Sequence, residues 1–229
     1  MDGWTMTNDN AKQMKKTGKI NARPKCLQIN LQHSRLATDN LLKITQQEGI
    51  DILCIQEPYA IGNKLVGLPK SFAFYMSGAG RKRAAIGINN KQIDTIKITQ
   101  LSDEYTVVLE TKAVNTTLLI VSMYFDINRP IDYDLQRMQS KAVGNVFAVD
   151  SNARSTSWHY VLTNKRGKTM EEFLISRQLH IADGESCRKT FCTSRIASNI
   201  DLTTLNNQAI GLISGWAIQI KRATQITSV

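Results

Sequence analysis

Hydrophobic positions in this chain fall mostly in short apolar runs and seldom in helical stripes. Runs of that length, bounded by turn residues, predict buried strands. They lie at Cys26–Asn30, Asp51–Ile55, Phe72–Met76, Ala84–Asn89, Ile93–Leu101, Tyr105–Leu109, Leu118–Tyr124, Val146–Val149, His180–Ala182, Ile200–Leu205 and Trp216–Ile218. Gly78 and Gly80 sit between two of these runs, as a hairpin requires. Helical spacing is confined to a few places. Leu36, Leu41, Leu42 and Ile44 form a stripe closed by Gly49, a short helix follows Pro130 over Asp134–Lys141, and Met170, Phe173 and Leu174 share one face of Lys168–Arg177. Many strands, few helices and a mixed order predict an α/β fold, a four-layer sandwich with two central mixed sheets and helices outside.

Composition narrows this picture without redirecting it. The 229 residues suit one large domain, and 42% hydrophobic against 21% charged residues can build a full core. No run of 18 apolar residues occurs, which argues against a membrane partner. Residues 1–24 are polar, rich in lysine and end at Pro24; they read as a flexible basic leader without the apolar segment of a secretory signal. Residues 25–229 read as the domain. Cys26, Cys54, Cys187 and Cys192 contain no C-x-x-C pair, so a zinc site is not expected and reduced thiols of an intracellular protein are. The net charge of +10 favours a polyanionic partner.

The chemistry is carried by polar residues at the ends of apolar strands. Gln28 and Asn30 lie two apart, on one face of the first strand. Glu57 follows Ile52–Gln56 directly, Tyr124 closes Ile120–Tyr124, Asp150 and Asn152 close Phe147–Asn152, and Asp201 stands inside an apolar run. Any one of these could be an end-of-strand cap. A charge in an apolar strand is costly unless it is paired or binds metal. Gathered at one sheet edge, these side chains would make an oxygen-rich pocket suited to Mg²⁺ or Mn²⁺, and beside a basic surface such a pocket implies metal-assisted phosphodiester hydrolysis. Arg81, Lys82 and Arg83 read as a basic hairpin tip for phosphate contact or as a solvated turn. Arg154 and Trp158 read as groove or stacking contacts, or, for Trp158, as packing.

The motifs Leu27–Asn30, Asp51–Tyr59, Arg83–Ile86, Asp150–His159 and Asn199–Thr203, in this order, resemble the apurinic/apyrimidinic-endonuclease-like domains of non-LTR (LINE-type) retrotransposons, of the exonuclease–endonuclease–phosphatase superfamily. The resemblance runs from about Cys26 to Ile218. It implies that Glu57 and Asn30 serve the metal and that Tyr124 contacts the scissile phosphate. Asp150 would orient or deprotonate the attacking water, Asn152 would hold a phosphate oxygen, and Asp201 would orient a catalytic histidine. It also implies substrate contacts for Gln28, where the wider fold has asparagine, and for Thr190. The implied partners are double-stranded DNA and, in an intact element, a fused reverse transcriptase, with no small-molecule cofactor and a nuclear site of action. The implied product is a nick whose 3′-hydroxyl primes reverse transcription.

One family feature is not found. Such domains end in Ser-Asp-His on a final strand, and His33, His159 and His180 do not stand in that motif. Codons permitted for Ile218–Thr227, with one base inserted after the first, read into a tail ending Ser-Asp-His. The sequence therefore predicts a domain truncated or frameshifted after residue 218, with its C-terminal strand missing and its turnover impaired. Gln139–Val146 also reads short for the family. Two alternatives remain open: a catalytically dead DNA-binding remnant, and another phosphodiesterase of the same fold acting on phosphoinositide or sphingomyelin.

Overall fold

The computed structural model describes residues 4–5, 24–62, 64–113, 116–138, 145–182, 191–192, 197–198 and 200–214. Two sheets lie at its centre. The first contains β1 (Cys26–Asn30), β2 (Ile52–Gln56), β3 (Ala73–Tyr75) and β4 (Ala84–Ile88) in the order β1-β2-β4-β3, with β1 and β2 parallel and the rest antiparallel. The second contains β5 (Asp94–Lys97), β6 (Thr106–Ala113), β7 (Thr116–Tyr124), β8 (Asn145–Asp150), β9 (His180–Ile181) and β10 (Asp201–Leu205) in the order β9-β10-β8-β7-β6-β5. There β7 and β8 are the parallel pair.

Period-two alternation sorts the apolar residues into three layers of core. Ile52, Cys54, Ile86, Val107, Leu109, Leu118 and Ile120 face one another between the sheets. Leu53 and Ile55, on the other face of β2, pack with Leu41 of α1 (Arg35–Glu48). Leu119, Val121 and Met123, on the outer face of β7, pack with Leu135 of α2 (Ile131–Arg137) and with Met170 and Leu174 of α3 (Lys165–Ser176). This is the expected sandwich: helix, sheet, sheet, helices.

The elements depart from expectation where polar atoms could satisfy themselves locally. α1 buries Thr38, Leu41 and Thr45, while Leu36 is exposed. The two threonine hydroxyls donate back to the carbonyls of Ser34 and Leu42 at 2.8 and 2.9 Å, so the buried stripe is partly polar. Gly49 ends the helix in the left-handed region, as predicted. The run Ile93–Leu101 divides into β5 and a 3₁₀ turn at Thr99–Leu101. The helix expected over Asp134–Lys141 starts earlier, at Ile131 behind Pro130. The leader is not wholly detached, because Trp4–Thr5 pair in parallel with Ile213–Ser214. Asn207–Ile210 forms a short helix that periodicity did not signal. The expectations for Gln139–Gly144, Thr190, Asn199, the strand Trp216–Ile218 and the missing last strand lie outside the described residues.

Candidate active site

The direction of the strands brings the polar residues together. β1 and β2 run parallel, as do β7 and β8, so Asn30, Glu57, Tyr124 and Asp150 all emerge at C-terminal strand ends. β10 runs against β8 and enters at the same edge, with Asp201 opposite Asp150 in the register. β4 runs against β2 with Gln56 opposite Ala84, which places Arg83 next to Glu57, and the Glu57 N–H donates to the Arg83 carbonyl at 2.8 Å.

Asn30 ties the two sheets together at this edge. Its Nδ2 donates to Asp150 Oδ2 at 2.6 Å and lies 3.4 Å from Glu57 Oε2, while its Oδ1 accepts the Gln32 N–H at 2.7 Å. Asn30 thus stands beside Glu57, with its amide nitrogen facing the carboxylates and its oxygen engaged by the backbone. Asn30 fixes the carboxylate pair. Asp150 is buried, and loss of solvent pushes its pKa up to about 7, with a smaller upward push from Glu57; the Asn30 and Asn152 N–H groups and Arg166 oppose the shift. Asn152 is held in the left-handed region at φ 46° and its Nδ2 donates to the Phe125 carbonyl at 2.9 Å. Burial, then the charges of Glu57 and Asp150, push the Tyr124 phenol up to about 12, so it stays a hydrogen-bond donor at any working pH.

Glu57, also at positive φ (45°), carries the cationic side of the site. Arg83 Nη1 donates to Glu57 Oε1 at 2.6 Å, and its guanidinium carbon lies 5.1 Å from the Tyr124 ring centre. His33 reaches the same oxygen, with Nε2 at 3.3 Å from Glu57 Oε1 and 3.1 Å from Arg83 Nη1, while Nδ1 is 2.9 Å from the Pro58 carbonyl. His33 is the participant that sequence reasoning missed. It matched no motif, and only its place three residues after Asn30 could have pointed to it. Arg166, on the first turn of α3, was also missed; its Nη1 donates to the Arg129 carbonyl at 2.9 Å.

Three further expectations change. Gln28 is a strut and not a substrate contact: Nε2 donates to the Val149 carbonyl at 3.2 Å and Oε1 accepts the Thr203 hydroxyl at 2.8 Å, so both ends of the amide are spent between the sheets. Trp158 offers no face to DNA. It is 1% exposed, its indole N–H donates to the Ala153 carbonyl at 3.1 Å, and it packs in the core beneath α3. The basic tip is not uniform either. Arg81 is exposed, Lys82 is buried with its ammonium turned onto the Gly78 carbonyl, and Arg83 points into the site. Arg154 is exposed, as a groove contact requires, with its guanidinium over the Tyr160 ring.

The donors can be tested against a hard divalent cation. Among the described residues no group of three or more His, Cys, Asp or Glu side chains is placed to hold an ion, so these residues form no closed cage. Mg²⁺ needs none, since it binds through one or two carboxylates and completes its shell with water and phosphate. Glu57 already stands against a positive charge, that of Arg83, at hydrogen-bond distance. The residues fit an open Mg²⁺ or Mn²⁺ site centred on Glu57.

A sandwich of two mixed sheets with a helix on one outer face and helices on the other is the architecture of the endonuclease/exonuclease/phosphatase fold. Residues 118–222 match the family model described as endonuclease-reverse transcriptase. The chain superposes on the endonuclease domain of TRAS1, a telomere-specific non-LTR retrotransposon, with a TM-score of 0.73 and 29% identity, covering 84% of this chain and 89% of that one. It is 24% identical over 205 residues to the putative 115 kDa protein of the type-1 retrotransposable element R1DM of Drosophila melanogaster, covering 83% of this chain. It is 27% identical over 169 residues to the Pol polyprotein of the R1 element of Bradysia coprophila, covering 67% of this chain. The chain spans 19% and 17% of the length of those two proteins. AP endonuclease LMAP from Leishmania major shares the fold, with a TM-score of 0.55 at 14% identity, covering 80% of this chain and 79% of that one. The chain has the endonuclease/exonuclease/phosphatase fold and is similar, over most of its length, to the endonuclease domain of a non-LTR retrotransposon.

Proposed function

We propose that this domain binds double-stranded DNA and is built to nick one strand with a divalent cation, leaving a 3′-hydroxyl able to prime reverse transcription. The observation that carries the reading is the coupling of Asn30 to Asp150 and Glu57 across the two sheets, beside a phenol and a guanidinium. A Mg²⁺ or Mn²⁺ ion at Glu57 would supply positive charge against the phosphate oxygens. Asn30 bridges the two carboxylates through its amide nitrogen. Asp150, pushed up to about 7, is matched to accept a proton from water near neutral pH. Tyr124 keeps its proton and donates to a phosphate oxygen. The water oxygen bonds to phosphorus, the P–O3′ bond breaks, and the leaving 3′-oxygen takes up a proton.

Within its 229 residues there is no Ser-Asp-His for Asp201 to orient. His33, beside Glu57, lies on the cation side of the site, and His180 pairs through Nε2 with Asn207 Oδ1 at 2.6 Å. The test is nicking of supercoiled plasmid with Mg²⁺, with Glu57→Ala as control and polymerase extension to report the 3′-hydroxyl. The expected result is Glu57-dependent nicking with extendable ends. Salt-dependent DNA binding with no nick at long times selects the inert remnant, and hydrolysis of a phospholipid without DNA binding overturns the reading altogether.

A further inference from the structure

Arg83 has a position that the proposed chemistry leaves unexplained. Among the described residues Glu57 is the one carboxylate within ion-pair distance of its guanidinium, and it is the acid that the metal reading requires. The contact is prearranged by the backbone, since the Arg83 N–H donates to the Glu104 carbonyl at 2.7 Å while its own carbonyl accepts from Glu57. The side chain also extends over Tyr124. One guanidinium thus spans the groups assigned to the cation and to the phosphate. His33 supports the same placement: with its Nδ1–H on the Pro58 carbonyl, Nε2 is free to accept from Arg83 Nη1. Both side chains remain partly exposed, at 23% for Arg83 and 16% for Glu57, so the pair can open without disturbing the core.

We propose that Arg83 is a placeholder for the divalent cation: it holds the Glu57 carboxylate until a metal ion displaces it, and the released guanidinium then takes up a DNA phosphate. The inference rests on the metal reading of Glu57. A guanidinium and a metal ion compete for the same Oε1, and a displaced arginine beside a phenol donor is suited to bind a phosphate through paired N–H groups.

The experiment is a Mn²⁺ titration of the full chain without DNA, followed by electron paramagnetic resonance of free Mn²⁺, on wild type, Arg83→Gln, Arg83→Lys and Glu57→Gln. Circular dichroism and urea unfolding confirm that each variant folds. Arg83→Gln is expected to bind Mn²⁺ about threefold to tenfold more tightly, as loss of a partly exposed ion pair would allow, with Arg83→Lys closer to wild type and Glu57→Gln losing the site. In Ca²⁺ the Arg83→Gln variant is expected to bind duplex DNA more weakly, with a salt dependence reduced by about one phosphate contact. If wild type and Arg83→Gln bind Mn²⁺ equally, or the variant binds more weakly, the placeholder role falls and the metal reading stands. If no form binds Mn²⁺, the metal reading fails and this inference fails with it.

Discussion

Replacing Trp158 separates a loop support from a base-stacking residue. The side chain is 1% exposed and packs among the apolar residues of α2, α3, β7 and β8. Truncating a fully buried tryptophan to alanine costs about 3–5 kcal/mol, a large part of the roughly 5–15 kcal/mol that holds a domain folded. Trp158→Phe keeps most of the volume but removes the indole N–H from the Ala153 carbonyl, on a residue that is itself buried. Leaving that acceptor unsatisfied costs about 1–3 kcal/mol. Urea unfolding followed by circular dichroism should show both losses, alanine larger than phenylalanine, with an unchanged slope. Duplex affinity, measured by fluorescence anisotropy at fixed salt under conditions where each variant is fully folded, should change less than about twofold. A stacking tryptophan would behave in the opposite way: its removal would cost about 1–3 kcal/mol of binding, roughly fivefold to 150-fold. Undiminished stability with affinity lost on that scale would refute the packing argument.

Other perturbations test neighbouring parts of the argument. At Gly167 an added Cβ would lie 1.8 Å from the Arg154 carbonyl oxygen, so Gly167→Ala must push α3 off the loop that follows Asp150 and weaken the Asn164 cap; a loss of about 2–4 kcal/mol in urea unfolding is expected. Gly211→Ala meets nothing within 4 Å at φ −68° and should be neutral or stabilising by up to about 1 kcal/mol, so equal effects at the two glycines would contradict the clash. The Asp150 carboxyl is raised from 3.8 to about 7, so the folded state holds its proton more tightly than the unfolded chain does. In divalent-free buffer its contribution is therefore fully present below about pH 4 and is lost as pH rises through about 7, a change of about 4 kcal/mol. Subtracting the Asp150→Asn stability profile from that of wild type should reveal this slope, and a flat difference would remove the burial argument.

The fold was legible because short apolar runs mark β2, β6 and β7 as buried strands; which residues face the inter-sheet core and which the helices is set by the pairing of the sheets. α1 was legible at its C-terminal end, at Gly49, but not on its buried face. Thr38 and Thr45 look polar in a sequence, and their hydroxyls are neutralised by backbone carbonyls that only a formed helix supplies. Gln28 was misread, and Trp158 left open between stacking and packing, for a related reason. Each has a polar group that sequence motifs treat as available, yet the partners that consume it are distant in sequence or lie in a loop, with Thr203 lying 175 residues from Gln28 and Trp158 five residues from Ala153.

The same contrast explains why the strand-end acids pointed to a site while the basic residues did not. A residue that terminates a buried strand has its position set by the strand. With β1–β2 and β7–β8 each parallel, Asn30, Glu57, Tyr124 and Asp150 are forced to one edge whatever their side chains are. An antiparallel neighbour contributes its first residue to that edge instead of its last. Asp201 at the start of β10 and Arg83 just before β4 arrive there by this route. Arg81, Lys82 and Arg83 are adjacent and alike in sequence, so composition treats them as one patch. Strand direction divides them into an exposed cation, a buried one and one that faces Glu57, and the partners of Arg83 follow from the register between β2 and β4 more than from its charge.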